Sequence, residues 1–195
     1  MRRLILARHA ESELNVSGLL NGDASVAVAL TERGREQARA LGNDAGPVDV
    51  VVHTGFGRTR ETAELAWPSA PRVASGELNE ISFGRFEGTA WGDGYHDWCR
   101  TAGPLDPCPG EGESRAEAIR RFVRGYRVVL ERPEETVALV AHGAHVSYVL
   151  LALGGRAPMP VLPGVPPAVP ILVGRERFAE AVELIEAWAQ EPAWA

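Results

Sequence analysis

Three largely apolar runs recur along the chain, and each ends abruptly in polar residues. The runs and the residues that follow them are 4–7 with Arg8-His9, 49–52 with His53-Thr54, and 137–141 with His142. Apolar runs without polar alternation are typical of strands that are covered on both faces, as in a parallel sheet. We therefore predict three buried strands.

Between and after these runs, the apolar positions take the spacing of amphipathic helices. Thr31 has the side chain of a helix cap, and Ser114 with Glu117 has the spacing of a capping box. The predicted helices cover residues 31–41, 56–66, 114–130, 144–153 and 175–190. Because strands and helices alternate, the chain is predicted to have an α/β fold.

The segment 158–170 contains six prolines and cannot be a regular helix or a central strand. We predict a surface loop that leads into an edge strand over 169–173. Since nothing here resembles a linker between domains, residues 1–195 are expected to form a single domain.

The composition is that of a folded globular protein, with 45% hydrophobic and 24% charged residues. The net charge of −6 argues against a nucleic-acid-binding protein, although a few arginines can still form a local site for an anion. No apolar run is long enough for a membrane span or a secretory signal, so we expect no membrane partner and a cytoplasmic protein. Cys99 and Cys108 are expected to be reduced thiols.

Arg8, His9 and His142 follow two of the predicted strands directly. Ligands of parallel sheets bind outside the carboxyl ends of the strands, so these side chains should meet at one rim. The segment from Arg8 to Asn15 reads Arg-His-Ala-Glu-Ser-Glu-Leu-Asn. It resembles the opening motif of the histidine phosphatase superfamily, phosphoglycerate-mutase-like branch, which is Arg-His-Gly-Glu-Ser/Thr-x-x-Asn. Further segments similar to the family's motifs follow in the same order, at 30–38, Arg58, 77–88, 109–114 and 141–143.

The resemblance covers residues 3 to 155 and implies a three-layer α/β/α sandwich with a mostly parallel central sheet. It also implies a site that works without a metal or cofactor. In that site His9 is the nucleophile and Glu80 the general acid and base. The groups expected to bind phosphate or substrate are Arg8, Arg58, His142, Asn15, Ser12 and Gly143.

These residues suit phosphoryl transfer on chemical grounds as well. A neutral imidazole can attack phosphorus if one nitrogen has a free lone pair, and two nearby arginines would lower the pKa of His9 and keep it neutral. Arginine grips phosphate through two parallel hydrogen bonds. His142 would add donors if it were protonated. Glu80 must begin protonated to give its proton to the departing oxygen.

Several residues have alternative interpretations. Glu77 and Glu87 are rivals of Glu80 for the acid, and His145 is expected to be a packing or pocket-rim residue. His53 and His96 could line the entrance or be structural. The aromatic residues Trp91, Tyr95 and Trp98 predict a lid helix inside a lid-like insertion around 89–112.

Two departures from the motif concern the phosphate site. Ala10 replaces the usual glycine and should place a methyl group where the backbone approaches phosphate. His53-Thr54 replaces a common Ser-Ser, which leaves the wall beside Arg58 undefined.

Hydrolysis of a small phosphomonoester is the activity that the sequence favours. A phosphoglycerate mutase that needs a bisphosphate cofactor is the alternative, but such mutases carry an arginine after the acid and more cations in the lid. Here Ile81 follows Glu80, and Arg100 is the only cation between 89 and 109. The apolar Ile81, Phe83 and Trp91 favour a less anionic or bulkier leaving group. A third hypothesis is a catalytically idle protein that binds a phosphorylated ligand. For the oligomeric state, a homodimer is one option.

Overall fold

A computed structural model describes residues 1–194 and contains one five-stranded sheet with the order β3-β2-β4-β1-β5. Four strands are parallel, and β5 pairs antiparallel with β1. The strands are β1 (Arg3–Arg8), β2 (Val50–His53), β3 (Arg72–Ala74), β4 (Thr136–Ala141) and β5 (Ile171–Gly174). The predicted α/β class with a mostly parallel sheet is confirmed.

Helices cover both faces of the sheet, and the side chains of each central strand alternate between two separate cores. In β1, Leu4 and Leu6 enter the larger core, whereas Ile5 and Ala7 enter the smaller one. All four are fully buried, which explains the unbroken apolar run. The helices are α1 (Glu13–Ser17), α2 (Glu32–Ala45), α3 (Gly57–Ala66), α4 (His96–Thr101), α5 (Arg115–Leu130), α6 (Gly143–Leu153) and α7 (Arg175–Gln190).

The caps read from the sequence are present. Thr31 Oγ1 accepts the backbone N–H of Gly34 at 2.9 Å and starts α2. Ser114 and Glu117 form the reciprocal capping box of α5. These bonds satisfy N–H groups that have no partner within the first turn of a helix, so the starts of both helices are fixed by local chemistry.

The edges of the sheet differ from the sequence prediction. The prediction omits β3 because the strand has only three residues and all are exposed, so no apolar pattern marks it. The edge strand begins at Ile171, not at Val169. Ala168 has a positive φ of 53°, and its N–H bonds the carbonyl of Arg8, while Pro170 has no N–H to donate. Regular pairing with β1 therefore starts after the proline.

The Pro-rich loop, residues 158–170, is held by its backbone carbonyls. The Pro163 carbonyl accepts from Ser147 Oγ at 2.8 Å, and the Val165 carbonyl accepts from Arg8 Nη1 at 2.8 Å. The loop therefore forms a wall that is attached to both β1 and α6.

The lid segment, residues 89–112, begins with an irregular turn over Trp91–Tyr95 and continues into the short helix α4. The Tyr95 ring is buried against Phe83 at 5.0 Å and stacks on Trp98 at 5.7 Å. Tyr95 and Trp98 thus pack the segment onto the core, whereas Trp91 is exposed and lines the cavity. Within residues 1–194, none of the helices combines the length and apolar character needed to cross a membrane.

Candidate active site

A cavity of about 700 Å³ opens at the carboxyl ends of β1 and β4. Its walls come from these strand ends, the lid segment and the Pro-rich loop. The ionisable side chains at its surface include Arg8, His9, Glu11, Arg58, Glu80 and Arg115. The rim predicted from the strand ends is therefore the floor of a concave site, as expected for a parallel sheet.

His9 is held in a single tautomer by its own backbone. Its Nδ1 lies 2.8 Å from the Ala10 carbonyl, and because a carbonyl only accepts, Nδ1 must carry the proton. Its Nε2 therefore has the lone pair, which accepts from Arg58 Nε at 3.2 Å. Burial, followed by the charges of Arg58 and Arg8, holds the pKa of His9 well below its ordinary value of 6.5. The imidazole is neutral at pH 7.

Arg58 is fixed by the first turn of α3 and by the loop that contains Asn21. Its Nη1 donates to Asn21 Oδ1 at 2.5 Å, and its Nη2 donates to the Asn21 carbonyl at 2.9 Å. Burial lowers the pKa of Arg58 to about 10, so the guanidinium remains charged. Arg8 approaches from β1, and burial also lowers its pKa. Neither arginine has a carboxylate within 4.0 Å among residues 1–194, which leaves their positive charge available to an anion.

His142 lies beneath this pair, fully buried, with its ring edge-on to His9 at 5.4 Å. Thr59 Oγ1 donates to the Phe56 carbonyl at 2.9 Å, so the Thr54 hydroxyl donates to Thr59 and accepts from His142 Nε2 at 3.0 Å. This series of hydrogen bonds assigns the proton of His142 to Nε2. Its Nδ1 lone pair then faces Arg58 Nη2 at 3.3 Å.

The sequence left the protonation of His142 open, and the structure favours the neutral ring. Burial and the charge of Arg58 hold the pKa of His142 well below 6.5. The ring is a neutral acceptor that supports Arg58, and it does not reach the surface of the cavity.

Glu80 lies at the cavity, and its Oε1 accepts the backbone N–H of Ile81 at 3.0 Å. Its Oε2 is 3.9 Å from His142 Nδ1. Burial raises the pKa of Glu80 above its ordinary value of 4.5, although the Ile81 N–H and the nearby arginines oppose the shift. A carboxyl in this environment can hold a proton and release it.

The two rival carboxylates are placed elsewhere. Glu77 pairs with Arg124 at 2.9 Å on the outer surface. Glu87 accepts the backbone N–H groups of Gly22 at 2.8 Å and Phe83 at 2.9 Å, so it joins two loops. Of the three glutamates, the structure brings only Glu80 to the cavity.

Ser12, Asn15 and Gly143 also line the cavity. Ser12 is the N-cap of α1, and Asn15 Oδ1 accepts from both the N–H and the hydroxyl of Ser12, each at 3.1 Å. The amide nitrogen of Asn15 takes no part in this cap. A Cβ on Gly143 would lie 3.7 Å from Arg8 Nε, so the first turn of α6 passes close to the arginine.

Other candidates from the sequence lie outside the cavity. The methyl group of Ala10 is fully buried in the smaller core, and the backbone N–H of Ala10 donates to Thr62 Oγ1 at 3.0 Å. The expectation that this methyl group faces the phosphate is therefore wrong. His53 is buried away from the cavity with Nδ1 2.7 Å from the Thr54 carbonyl, whereas His96 lines the entrance. His145 is a packing residue, 2.9 Å from the Tyr126 hydroxyl, and burial lowers its pKa to about 3.

The sequence analysis missed three residues of the site. Asn21 orients Arg58, Thr54 fixes the tautomer of His142, and Arg115 adds a third buried cation. Arg115 is the first residue of a helix, where an arginine is usually solvated, and Asn21 lies in a loop without regular pattern. Only the positions of their neighbours in space identify them.

The arrangement is a neutral imidazole with a free nitrogen, two unpaired arginines and a carboxyl with a raised pKa. These are the groups that transfer of a phosphoryl group requires. Within residues 1–194, no three side chains of His, Cys, Asp or Glu gather closely enough to hold a metal ion.

Residues 4–162 match the model of the histidine phosphatase superfamily, branch 1, and the chain belongs to this superfamily. A 2,3-bisphosphoglycerate-dependent phosphoglycerate mutase of Brucella ovis is 30% identical over 181 residues, covering 83% of this chain and 85% of that protein.

Solved structures agree with this assignment. The alpha-ribazole phosphatase of Shigella flexneri superposes with a TM-score of 0.66 at 29% identity, covering 79% of this chain and 80% of its own. A phosphoglycerate mutase of Thermus thermophilus superposes with a TM-score of 0.68 at 32% identity, covering 88% of this chain and 92% of its own. The fold is therefore phosphoglycerate-mutase-like, as the resemblance implied.

Proposed function

We propose that the protein is a metal-independent phosphomonoester hydrolase that works through a phosphohistidine on His9, with Glu80 as general acid and base. The observation that carries this proposal is the tautomer of His9. The Ala10 carbonyl holds the proton on Nδ1, so the Nε2 lone pair faces Arg58 at the cavity, which Arg8 also lines. A phosphate bound by those arginines would lie next to the nucleophile.

In the first step, oxygens of the phosphate monoester take the N–H donors of Arg8 and Arg58, and the bond from Arg58 to His9 is exchanged for one to phosphate. The Nε2 lone pair then forms the N–P bond while the bond from phosphorus to the ester oxygen breaks. The proton of Glu80 passes to that oxygen, which leaves as an alcohol.

In the second step, the Glu80 carboxylate accepts a proton from a water molecule that attacks phosphorus. The P–N bond breaks, its electron pair returns to Nε2, and inorganic phosphate leaves. Glu80 ends protonated, as it began. His142 acts through Arg58, because its Nδ1 accepts from the guanidinium and fixes its orientation.

A small-molecule substrate fits a cavity of about 700 Å³. A cytoplasmic location, where Cys99 and Cys108 would stay reduced, suits such a substrate.

A phosphoglycerate mutase is the second candidate, because the Brucella ovis relative carries that name. A mutase must keep water away from its phosphohistidine and return the phosphoryl group to the substrate. This candidate predicts isomerisation of monophosphoglycerates that a bisphosphate primer stimulates. An idle phospholigand-binding protein, the third candidate, would gain thermal stability from phosphate and show no turnover.

The test is hydrolysis of p-nitrophenyl phosphate in excess chelator. We expect wild-type turnover, loss of activity by about 10³-fold or more in His9→Ala, and acid-labile phosphate on His9 after rapid quenching. Glu80→Gln should lower kcat by about 10²- to 10⁴-fold, whereas the matched control Glu77→Gln should retain activity. Label on another residue, or unchanged turnover in His9→Ala, would overturn the proposal.

A further inference from the structure

We propose that Arg115 binds a second anionic group, carried by the part of the substrate that leaves as the alcohol. This inference rests on the proposed function and adds a substrate class to it. The group would be a carboxylate or a second phosphate on the leaving portion, and Arg115 would determine the preference for it.

Arg115 lines the cavity beside the lid segment and the Pro-rich loop, and its residue surface is only 5% exposed. Its Nη1 is 3.4 Å from the Tyr148 hydroxyl, and its Nη2 contacts Cys99 Sγ and lies 3.5 Å from the Pro160 carbonyl. The Tyr95 ring lies 5.6 Å from the guanidinium. Of these neighbours Tyr95 also lines the cavity, as do Arg8 and Arg58, whereas Tyr148, Cys99 and Pro160 hold the guanidinium from behind.

The guanidinium of Arg115 is incompletely satisfied. Its Nε is buried and makes no hydrogen bond within residues 1–194, where no carboxylate lies within 4.0 Å of it either. Tyr148 and Tyr95 supply no negative charge, because burial raises the pKa of both phenols. A buried guanidinium that has no carboxylate partner and one unbonded N–H is stabilised by a ligand that brings negative charge.

The charge balance of the cavity points in the same direction. A phosphate dianion matches Arg8 and Arg58, and Glu11 at the rim already interacts with Arg33 at 3.7 Å and accepts from Thr31. One bound phosphate would therefore neutralise Arg8 and Arg58 but leave the positive charge of Arg115 without a counterion. Because a phosphomonoester carries any further anionic group on the portion that leaves as the alcohol, a ligand group for Arg115 would belong to that portion. The apolar Ile81 and Phe83 thus form only part of the surroundings of that portion.

The experiment compares phenyl phosphate, 4-carboxyphenyl phosphate and 1,4-phenylene bisphosphate as substrates and, by calorimetry, as ligands. For at least one of the two charged compounds, we expect wild-type protein to show a KM and a dissociation constant roughly 10- to 100-fold lower than for phenyl phosphate. The two charged compounds distinguish a carboxylate from a phosphate as the preferred group.

Arg115→Met should remove this preference by raising KM and the dissociation constant for the charged compounds more than for phenyl phosphate, so that the ratio between the compounds approaches one. Arg115→Lys should keep part of the preference, and Arg124→Met on the exposed side of the same helix should keep all of it. If Arg115→Met does not fold, the wild-type and Arg115→Lys preferences decide the question.

Equal KM and affinity of wild-type protein for all three compounds would overturn the role of Arg115 while leaving the hydrolase intact. Loss of the preference in Arg124→Met as well would also count against it. If wild-type protein binds the charged compounds more tightly but hydrolyses none of the three, the hydrolase proposal fails and the assignment of Arg115 stands.

Discussion

The protonation state of each histidine in the site is decided by a neighbour one residue or one hydrogen bond away. His9 takes its tautomer from the carbonyl that follows it in the chain, and His142 takes its own from a threonine hydroxyl. Both rings are buried beside guanidinium groups, so neither holds a second proton at neutral pH. The result is one nitrogen free to attack and another free to support Arg58.

Thr54→Val tests this dependence with almost no change in volume. Removing the hydroxyl removes the acceptor of His142 Nε2, so the ring can change tautomer and stop accepting from Arg58. We expect kcat/KM to fall by about 10- to 100-fold with the fold intact, and Thr54→Ser to restore most of it. Thr101→Val, at an exposed hydroxyl of α4, is the control. A failure of Thr54→Ser to restore activity would show that the hydroxyl plays no such part.

Strand ends were sufficient to select Arg8, His9 and His142 as residues that meet, because the carboxyl ends of parallel strands lie at one edge of the sheet. Arg58 and Glu80 were selected by the resemblance to the family's motifs. Spacing could not give the protonation of His142 or the direction of the Ala10 methyl. Both depend on partners distant in the sequence, namely Arg58 and the helix that contains Thr62.

At the scale of elements, the contact between α2 and α3 depends on a residue without a side chain. A Cβ on Gly42 would lie 1.9 Å from the Ala66 carbonyl, well inside van der Waals contact. The two helices thus approach each other closely at the carboxyl end of α3, whose first turn contains Arg58.

Gly42→Ala should therefore destabilise the protein by about 1–3 kcal/mol, because the helices must separate to admit the methyl group. At an unconstrained helical position the same change usually stabilises a protein by a few tenths to about 1 kcal/mol. Gly57→Ala is the matched control, since a Cβ there meets no atom closer than 3.9 Å. Urea unfolding of both variants checks the prediction, which is wrong if they shift stability in the same direction.

The long helices could be predicted because each buries apolar residues, and α2 and α5 also have a capping side chain. The five-residue α1 and the exposed β3 have neither enough length nor enough burial to leave a pattern. The start of β5 depends on which N–H groups can pair with β1, which the sequence of the Pro-rich loop does not show by itself.

At the scale of the whole molecule, three histidines are buried in neutral form, which links folding to pH. His9, His142 and His145 have pKa values below 6.5 in the fold and near 6.5 in the unfolded chain. Below pH 6.5 the unfolded chain therefore binds more protons than the fold, and the free energy of unfolding decreases as the pH is lowered. Glu80 acts in the opposite sense, because its pKa is raised and the fold retains its proton at a pH where the unfolded chain has lost it.

We expect the free energy of unfolding to decline between pH 6.5 and about pH 4 by up to about 1.4 kcal/mol per pH unit for each histidine. The pKa of His145 is about 3 in the fold, so this residue takes up a proton on unfolding throughout this pH range. His145→Gln should therefore reduce the slope by the contribution of that one proton. Thr101→Val, which removes no titrating group, should leave the slope unchanged. Urea midpoints at several pH values measure it, and an equal slope in His145→Gln would contradict the prediction.

The attachment of the Pro-rich loop has a consequence for how such a protein can diverge. The carbonyls of Pro163 and Val165 hold the loop, and every residue type has a carbonyl. The side chains of Val161 and Leu162 line the cavity and take no part in these bonds, so they can be exchanged for others that keep their packing against the larger core. New substrates can be accommodated through this stretch while the reaction centre is inherited unaltered.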